Sequence, residues 1–264
     1  MIKKILLGSL AASTLLVNAQ ADNVKVTPLK THAEAGYIQT DGNTKTKTFN
    51  LDATAKKEWG KHEGEIHLDG QYADDDGVET KNKYLIELNY NYSFTDRLAL
   101  DYLIGYKDDK FSGYDYQFYT GPGAKYKAIV TDQHNLTLSG NILYSQDKAM
   151  DIRYDSNGDI VDYPYETPTV RSEPGDTKDY AGYRVKGEYE YKITKSLTFN
   201  QDLSIRGDFD DASNYFVFSK TALSSKLSDI FSAGVSYKVD YAHLPPSDKK
   251  STDSTFTFNL IADF

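Results

Sequence analysis

No cysteine occurs anywhere in the sequence, so the chain can form no disulfide and offers no thiolate to a metal or cluster. Long apolar runs are missing too. After residue 21 nothing approaches the roughly 20 apolar residues of a membrane-spanning helix, and the mean hydropathy is −0.60. That excludes a helical membrane protein, but not one that crosses with strands, which need apolar residues only at alternate positions. Positive charge is also short: 30 Lys and Arg face 39 Asp and Glu, a net charge of −9. Such an acidic chain lacks the electrostatic footprint of a nucleic-acid binder, and no nucleic-acid partner is expected.

What is abundant is aromatic: 22 Tyr and 12 Phe in 264 residues, beside a single Trp. The N-terminus reads as an export signal. Lys3 and Lys4 precede an apolar stretch from Ile5 to Val17, and Ala19-Gln20-Ala21 supplies a small-residue cleavage site. Removing residues 1–21 takes two lysines and no acid, leaving the mature chain at −11. A mature, exported protein spanning 22–264 is therefore expected.

The last eleven residues, STFTFNLIADF, set the pattern for the rest. Phe256, Phe258, Leu260, Ala262 and Phe264 share one parity, while Thr255, Thr257, Asn259 and Asp263 hold the other; only Ile261 breaks the rule. Successive side chains of a strand point to opposite faces, so one face is oily and the other wet. The same alternation runs through Phe231 to Tyr241, Ala181 to Tyr191 and Leu98 to Tyr106. It recurs near 44–58, 61–73, 81–93, 115–129, 134–146 and 196–209, and more weakly at 32–40 and 213–225. In the last of these Phe216 and Phe218 compete with Tyr215 and Val217 for the oily side.

Twelve strands result, joined by short links at 59–61, 93–97, 131–134, 193–196 and 227–229. At the other end the links are mostly longer: 73–80, 107–114, 147–178, 209–214 and 242–253, with only Asp41-Gly42-Asn43 tight. Short turns at one end and long loops at the other are the plan of an up-and-down barrel of the bacterial outer membrane. The fold expected is all-β: an antiparallel transmembrane β-barrel of about twelve strands, with a long extracellular loop at about 147–178. A soluble sandwich or lipocalin-like barrel would bury its oily row and build it chiefly from branched aliphatics. Here the oily rows carry Tyr90, Tyr92, Tyr106, Tyr189, Tyr191 and Tyr241 near strand ends, where amphipathic rings suit headgroup zones. A strand ending on Phe264 also resembles the C-terminal signal read by the barrel-assembly machinery, an expected partner.

The stretch Glu34 to Leu51, EAGYIQTDGNTKTKTFNL, resembles the start of the YdiY-like salt-induced outer-membrane protein family. The resemblance rests on Glu34, Gly36, Gly42-Asn43-Thr44 and the Thr-rich strand that follows. It implies an outer-membrane location and a role in envelope or osmotic adaptation. It implies no catalytic residue.

If lipid wraps the oily rows, the wet rows line a lumen. The expected lining residues are Glu63, Glu65, His67, Asp69, Glu87, Asp101, Lys125, Lys127, Arg184, Lys186, Glu188, Glu190, Asp202, Arg206, Lys238 and Asp240. Both charge signs are present in quantity, which fits either a water-filled pore or a bore braced shut by ion pairs. Lys45 and Lys47 fall on the lipid-facing parity near the outer end of their strand. A lysine held at mid-bilayer would cost roughly 2–4 kcal/mol, so both are expected to reach for lipopolysaccharide phosphates.

The outer loops are acidic, and Asp155-Ser156-Asn157-Gly158-Asp159 has a faint likeness to a calcium loop. It lacks the spacing and terminal Glu of an EF-hand, so a solvated turn without metal is expected. Of the five histidines only His67 falls among interior carboxylates, and no serine stands where a histidine could activate it. No cofactor and no enzymatic activity are expected. The reading is a narrow passive channel; the alternative is a non-conducting barrel with a plugged lumen.

Overall fold

The computed structural model describes residues 27–41, 45–245 and 250–264. The export signal at 1–21 and the Gly42-Asn43-Thr44 hairpin lie outside the described residues. Among those described, twelve strands close into an antiparallel barrel. In chain order they begin with β1 (Lys30–Gln39), β2 (Thr46–Trp59), β3 (His62–Asp75), β4 (Val78–Ser93), β5 (Leu98–Asp109), β6 (Tyr114–Val130) and β7 (His134–Ala149). Two short strands, β8 (Ile152–Tyr154) and β9 (Arg171–Glu173), pair only with each other, outside the wall. The wall resumes with β10 (Thr177–Lys192), β11 (Leu197–Asp208), β12 (Tyr215–Lys226), β13 (Phe231–Ala242) and β14 (Thr252–Asp263).

Each strand pairs with its wall neighbours, and β7 passes directly to β10 with Lys148 opposite Thr177 and His134 opposite Tyr191. Closure is between β1 and β14, with His32 opposite Asp263 and Ala35 opposite Leu260. Two backbone bonds finish the seam: Thr31 N–H donates to Phe264 O at 2.8 Å and Phe264 N–H to Thr31 O at 2.9 Å. A closed ladder leaves no unpaired edge, which is what permits strands to stand in lipid.

The burial pattern is inverted relative to a soluble protein. On β14, Phe256, Phe258 and Leu260 are 54%, 65% and 56% exposed, while Thr257 and Asn259 are almost fully buried. Asn91, Ser145 and Ser236 are as enclosed as Leu103 and Leu143. Apolar side chains cover the exterior on every side, from Ile66 through Ile142 to Val185 and Leu203. In water that surface far exceeds the few hundred Å² a monomer ordinarily exposes; against hydrocarbon it is the ordinary polarity of a membrane-spanning barrel.

Aromatic clusters mark both rims. At the short-turn end Trp59 stacks on His62 with centroids 5.9 Å apart, and His134 stacks on Tyr191 at 4.4 Å. At the loop end Tyr84, Tyr106 and Tyr116 form an outward-facing stack with spacings of 6.1 and 5.8 Å. The rings place polar tips in the headgroup zones while their bodies remain in lipid.

Several loop-end links are shorter than the sequence expectation; the one expected at 107–114 spans only 110–113, because β5 runs on to Asp109. The link expected at 73–80 is a turn of Asp76 and Gly77 alone, because the ladder continues through Asp74 opposite Glu79 and Asp75 opposite Val78. Both turn residues have positive φ, 50° and 86°, the requirement of a tight type I′ hairpin. Side chains past Ala73 are too polar to show alternation, so the pattern loses the strand before the backbone does. The long loop is likewise shorter at its ends, 150–176, and contains the β8–β9 hairpin, which alternation did not reveal. Its Tyr163 packs edge-on against Phe111 at 5.3 Å, and its hydroxyl donates to Glu79. Partial burial and the neighbouring Glu79 carboxylate push the Tyr163 phenol up to about 12, so it stays a neutral donor. The loop thus leans on the β3–β4 and β5–β6 hairpins.

Candidate functional site: the barrel lumen

The register fixes which side chains meet inside. Starting at Asp52, the ring runs Asp52–Asp69–Leu85–Lys107–Gln117–Asp147 through successive ladder partners. Every residue in that row is inward because antiparallel partners share a face. The same bookkeeping puts all sixteen residues named above on the inner face, and their side chains form three tiers.

In the outer tier, Asp240 on β13 accepts from Lys83 Nζ at 2.5 Å and Lys107 Nζ at 3.3 Å. Close by, Arg206 reaches Asp147 at 3.6 Å and donates to Tyr180 Oη at 2.9 Å. Its guanidinium lies over the Tyr119 and Phe216 rings, 4.8 and 4.5 Å from their centroids.

The middle tier is the most densely bonded. Lys220 Nζ donates to Glu34 Oε1 and Asp52 Oδ2, both at 2.9 Å. Lys238 donates to Asp52 Oδ2 at 3.0 Å and to Asp69. His67 Nε2 lies 3.2 Å from Asp52 Oδ1, and Asn259 donates to Glu34 Oε2 at 2.8 Å. On the other side of the bore Arg184 pairs with Glu87 at 3.2 Å, and Tyr119 donates to the same carboxylate at 2.6 Å. Asp101 accepts from Asn141 Nδ2 at 2.5 Å.

In the inner tier Glu63 accepts from Lys56 at 2.7 Å and Lys125 at 3.4 Å, and Lys186 pairs with Glu188 at 2.6 Å. Glu190 accepts from Asn135 at 2.9 Å. Asp202 faces Glu188 across the β10–β11 ladder, and Lys127 faces Thr137. Burying so many charges is tolerable only because nearly all find a partner of opposite sign or a hydrogen bond.

Around these tiers runs a cavity of about 980 Å³ whose walls reach Ser112 and Lys250 at the loop end and Thr194 and Ser196 at the turn end. A second cavity of about 370 Å³, lined by Glu63, Arg97 and Lys127, adjoins it at the turn end. Glu65, Glu188 and Asp202 line both.

Several lumen residues were absent from the sequence reading. Asp52 and Lys83 stand on the wet parity of recognised strands and were accessible to the same rule, whereas Lys107 fell in the link expected at 107–114, which the structure continues as strand to Asp109. Lys220 lies on β12, whose two faces are both partly apolar, and Glu34 on the short β1. The cluster of Leu103, Leu143 and Tyr119, with Leu85 against it, breaks the wet row outright. Ile261, the exception in the C-terminal row, is inward and 5% exposed.

Outside the bore, Lys47 is exposed on the outer face of β2 opposite Asp74, and Lys45 is exposed beside it, its carbonyl accepting from Asp76 N–H at 2.8 Å. Asp155 spends its carboxylate on the N–H groups of Asn157 and Asp159, both at 2.9 Å. That is the geometry of a solvated turn.

Residues 33–264 match the family described as a protein of unknown function, DUF481. The chain is 25% identical to the uncharacterized protein YdiY of Escherichia coli K12, over 97% of this chain and 94% of the relative. Among solved structures it is similar to a NanC porin, at 12% identity over 89% of this chain and 98% of that one, with a TM-score of 0.46. It is also similar to the translocator domain of the autotransporter NalP from Neisseria meningitidis, at 8% identity over 91% and 87%, with a TM-score of 0.48. By the family match across its barrel, this chain belongs to the DUF481 family.

Proposed function

We propose that the protein stands in the bacterial outer membrane as a narrow passive channel for ions and small solutes, in the service of envelope or osmotic adaptation. The observation that carries this reading is the cavity whose walls include residues of both rims. A barrel filled like a soluble core would leave no such volume between its mouths. Mixed charge along the bore supports passage with weak preference for either sign. Lys45 and Lys47 bind lipopolysaccharide phosphates, and the strand ending at Phe264 engages the assembly machinery. Planar-bilayer recording of the purified mature barrel tests the channel: discrete current steps are expected, and a flat trace under voltage rejects it.

One observation favours a second reading, a non-conducting barrel. The Lys107–Asp240 pair joins opposite walls, and a bore bridged across its width needs little more to close. The same recording separates the two.

A further inference from the structure

Three aromatic side chains stand in the outer vestibule, on an inward row that elsewhere in the barrel is mostly polar. Phe216 and Phe218 point inward from β12, and Tyr114 meets Phe216 edge-on at 6.0 Å from β6. All three line the main cavity, and none is fully buried. Apolar rings left half-wet inside a bore cost free energy that a polar residue would avoid, since the exterior of this barrel already has lipid for its apolar side chains. Local rules are broken most readily at functional positions.

Opposite and beside these rings stand hydrogen-bonding groups. Phe218 is the ladder partner of Asp240, which holds Lys83 and Lys107, and Gln117 lies on the same wall as Tyr114. The charges balance. Lys83 and Lys107 are countered by Asp240 and the inward, buried Asp109, and Arg206 by Asp147. A site with flat apolar faces, convergent donors and acceptors, and no net charge suits a ligand having an apolar face and a hydroxylated rim. We propose that the outer vestibule binds neutral saccharides, a pyranose face stacking on Phe218 beside Phe216 while its hydroxyls exchange hydrogen bonds with Asp240 and Lys107. This names a solute class for the channel and rests on that reading only for the current assay.

The rings could instead serve solely to pack around Arg206, and the test separates these roles. The mature barrel is recorded in KCl with maltotriose as probe. Reversible interruptions of the open current are expected. The half-blocking concentration should rise about tenfold in Phe218→Leu, which keeps apolar volume but loses the ring face, and stay near the parent value in Phe218→Tyr. Current steps that maltotriose leaves untouched, or a block equally strong in Phe218→Leu, overturn the saccharide site while the channel stands. If no current steps occur at all, the channel reading fails. Equilibrium dialysis of labelled maltotriose against the detergent-solubilised barrel then decides the site: retention lost in Phe218→Leu supports it, and no retention by the parent barrel overturns it.

Discussion

Lys107 Nζ lies 3.3 Å from Asp240 Oδ1, although β5 and β13 are six strands apart in either direction around the ring. Two such side chains at full stretch join backbones no more than about 13 Å apart. A round twelve-strand barrel of ordinary spacing and tilt would hold opposite walls about 24 Å apart. The cross-section is therefore flattened at this level, with β5 and β13 at its short axis. Asp240 thus sits on that short axis, held by two lysines.

Removing that carboxylate should widen the bore and free two positive charges. Asp240→Ala is expected to raise unitary conductance on the order of twofold and shift ion preference toward anions. Conductance in symmetric KCl and the reversal potential across a KCl gradient measure the two effects. Unchanged values for both would show that current, if any, does not pass this bridge.

The exterior offers a test independent of conduction. Ile142 is 66% exposed on the outer face of β7, near the middle of its strand. Replacing it with arginine should cost about 2–4 kcal/mol if the site stands at mid-bilayer. Urea unfolding of the barrel refolded into vesicles reads this as a lowered midpoint. An equally stable Ile142→Arg would mean that this face does not meet hydrocarbon.

All twelve wall strands were legible in the sequence because lipid outside and water inside impose opposite demands on alternate residues, and the chain obeys over most of each strand. Legibility ended where those demands relax. At Asp74 and Asp75 the strand has left the apolar zone, so both faces are polar and only backbone pairing continues. On β12 both faces carry aromatics, and no parity rule could say that Tyr215 and Val217 face out while Phe216 and Phe218 face in. The lumen pairings were illegible for a different reason. Lys220 and Glu34 are 186 residues apart, and their meeting depends on closure and flattening, which no local pattern encodes.

Lys45 and Lys47 carry the proposed contact with lipopolysaccharide. Reversing both to Glu should leave the barrel closed, since neither side chain enters the bore, but should lower the lipopolysaccharide retained on purification. Phosphate assay of the detergent-purified variant against the parent measures this, and equal retention removes the assignment. Raising ionic strength should reproduce part of the loss in the parent, because exposed charge contacts are screened within about 8–10 Å.

The long loop lies outside the main cavity. Its base is tied to the wall by Ala149 N–H donating to Asp176 O at 2.8 Å and by Lys148 Nζ donating to Gly175 O. Its tip is held over the neighbouring hairpins by Tyr163, and among the described residues lining the main cavity none comes from 150–176. Replacing residues 152–173 with a short Gly-Ser link should therefore preserve the heat-dependent gel shift of the folded barrel. Loops that lie outside the wall tolerate such exchange at small thermodynamic cost. On the proposed channel reading, unitary conductance should remain within about twofold of the parent, since no residue of 150–176 lines the main cavity. A severalfold increase on excision would mean that the loop enters the bore in the membrane and that it, not the Lys107–Asp240 bridge, closes the path.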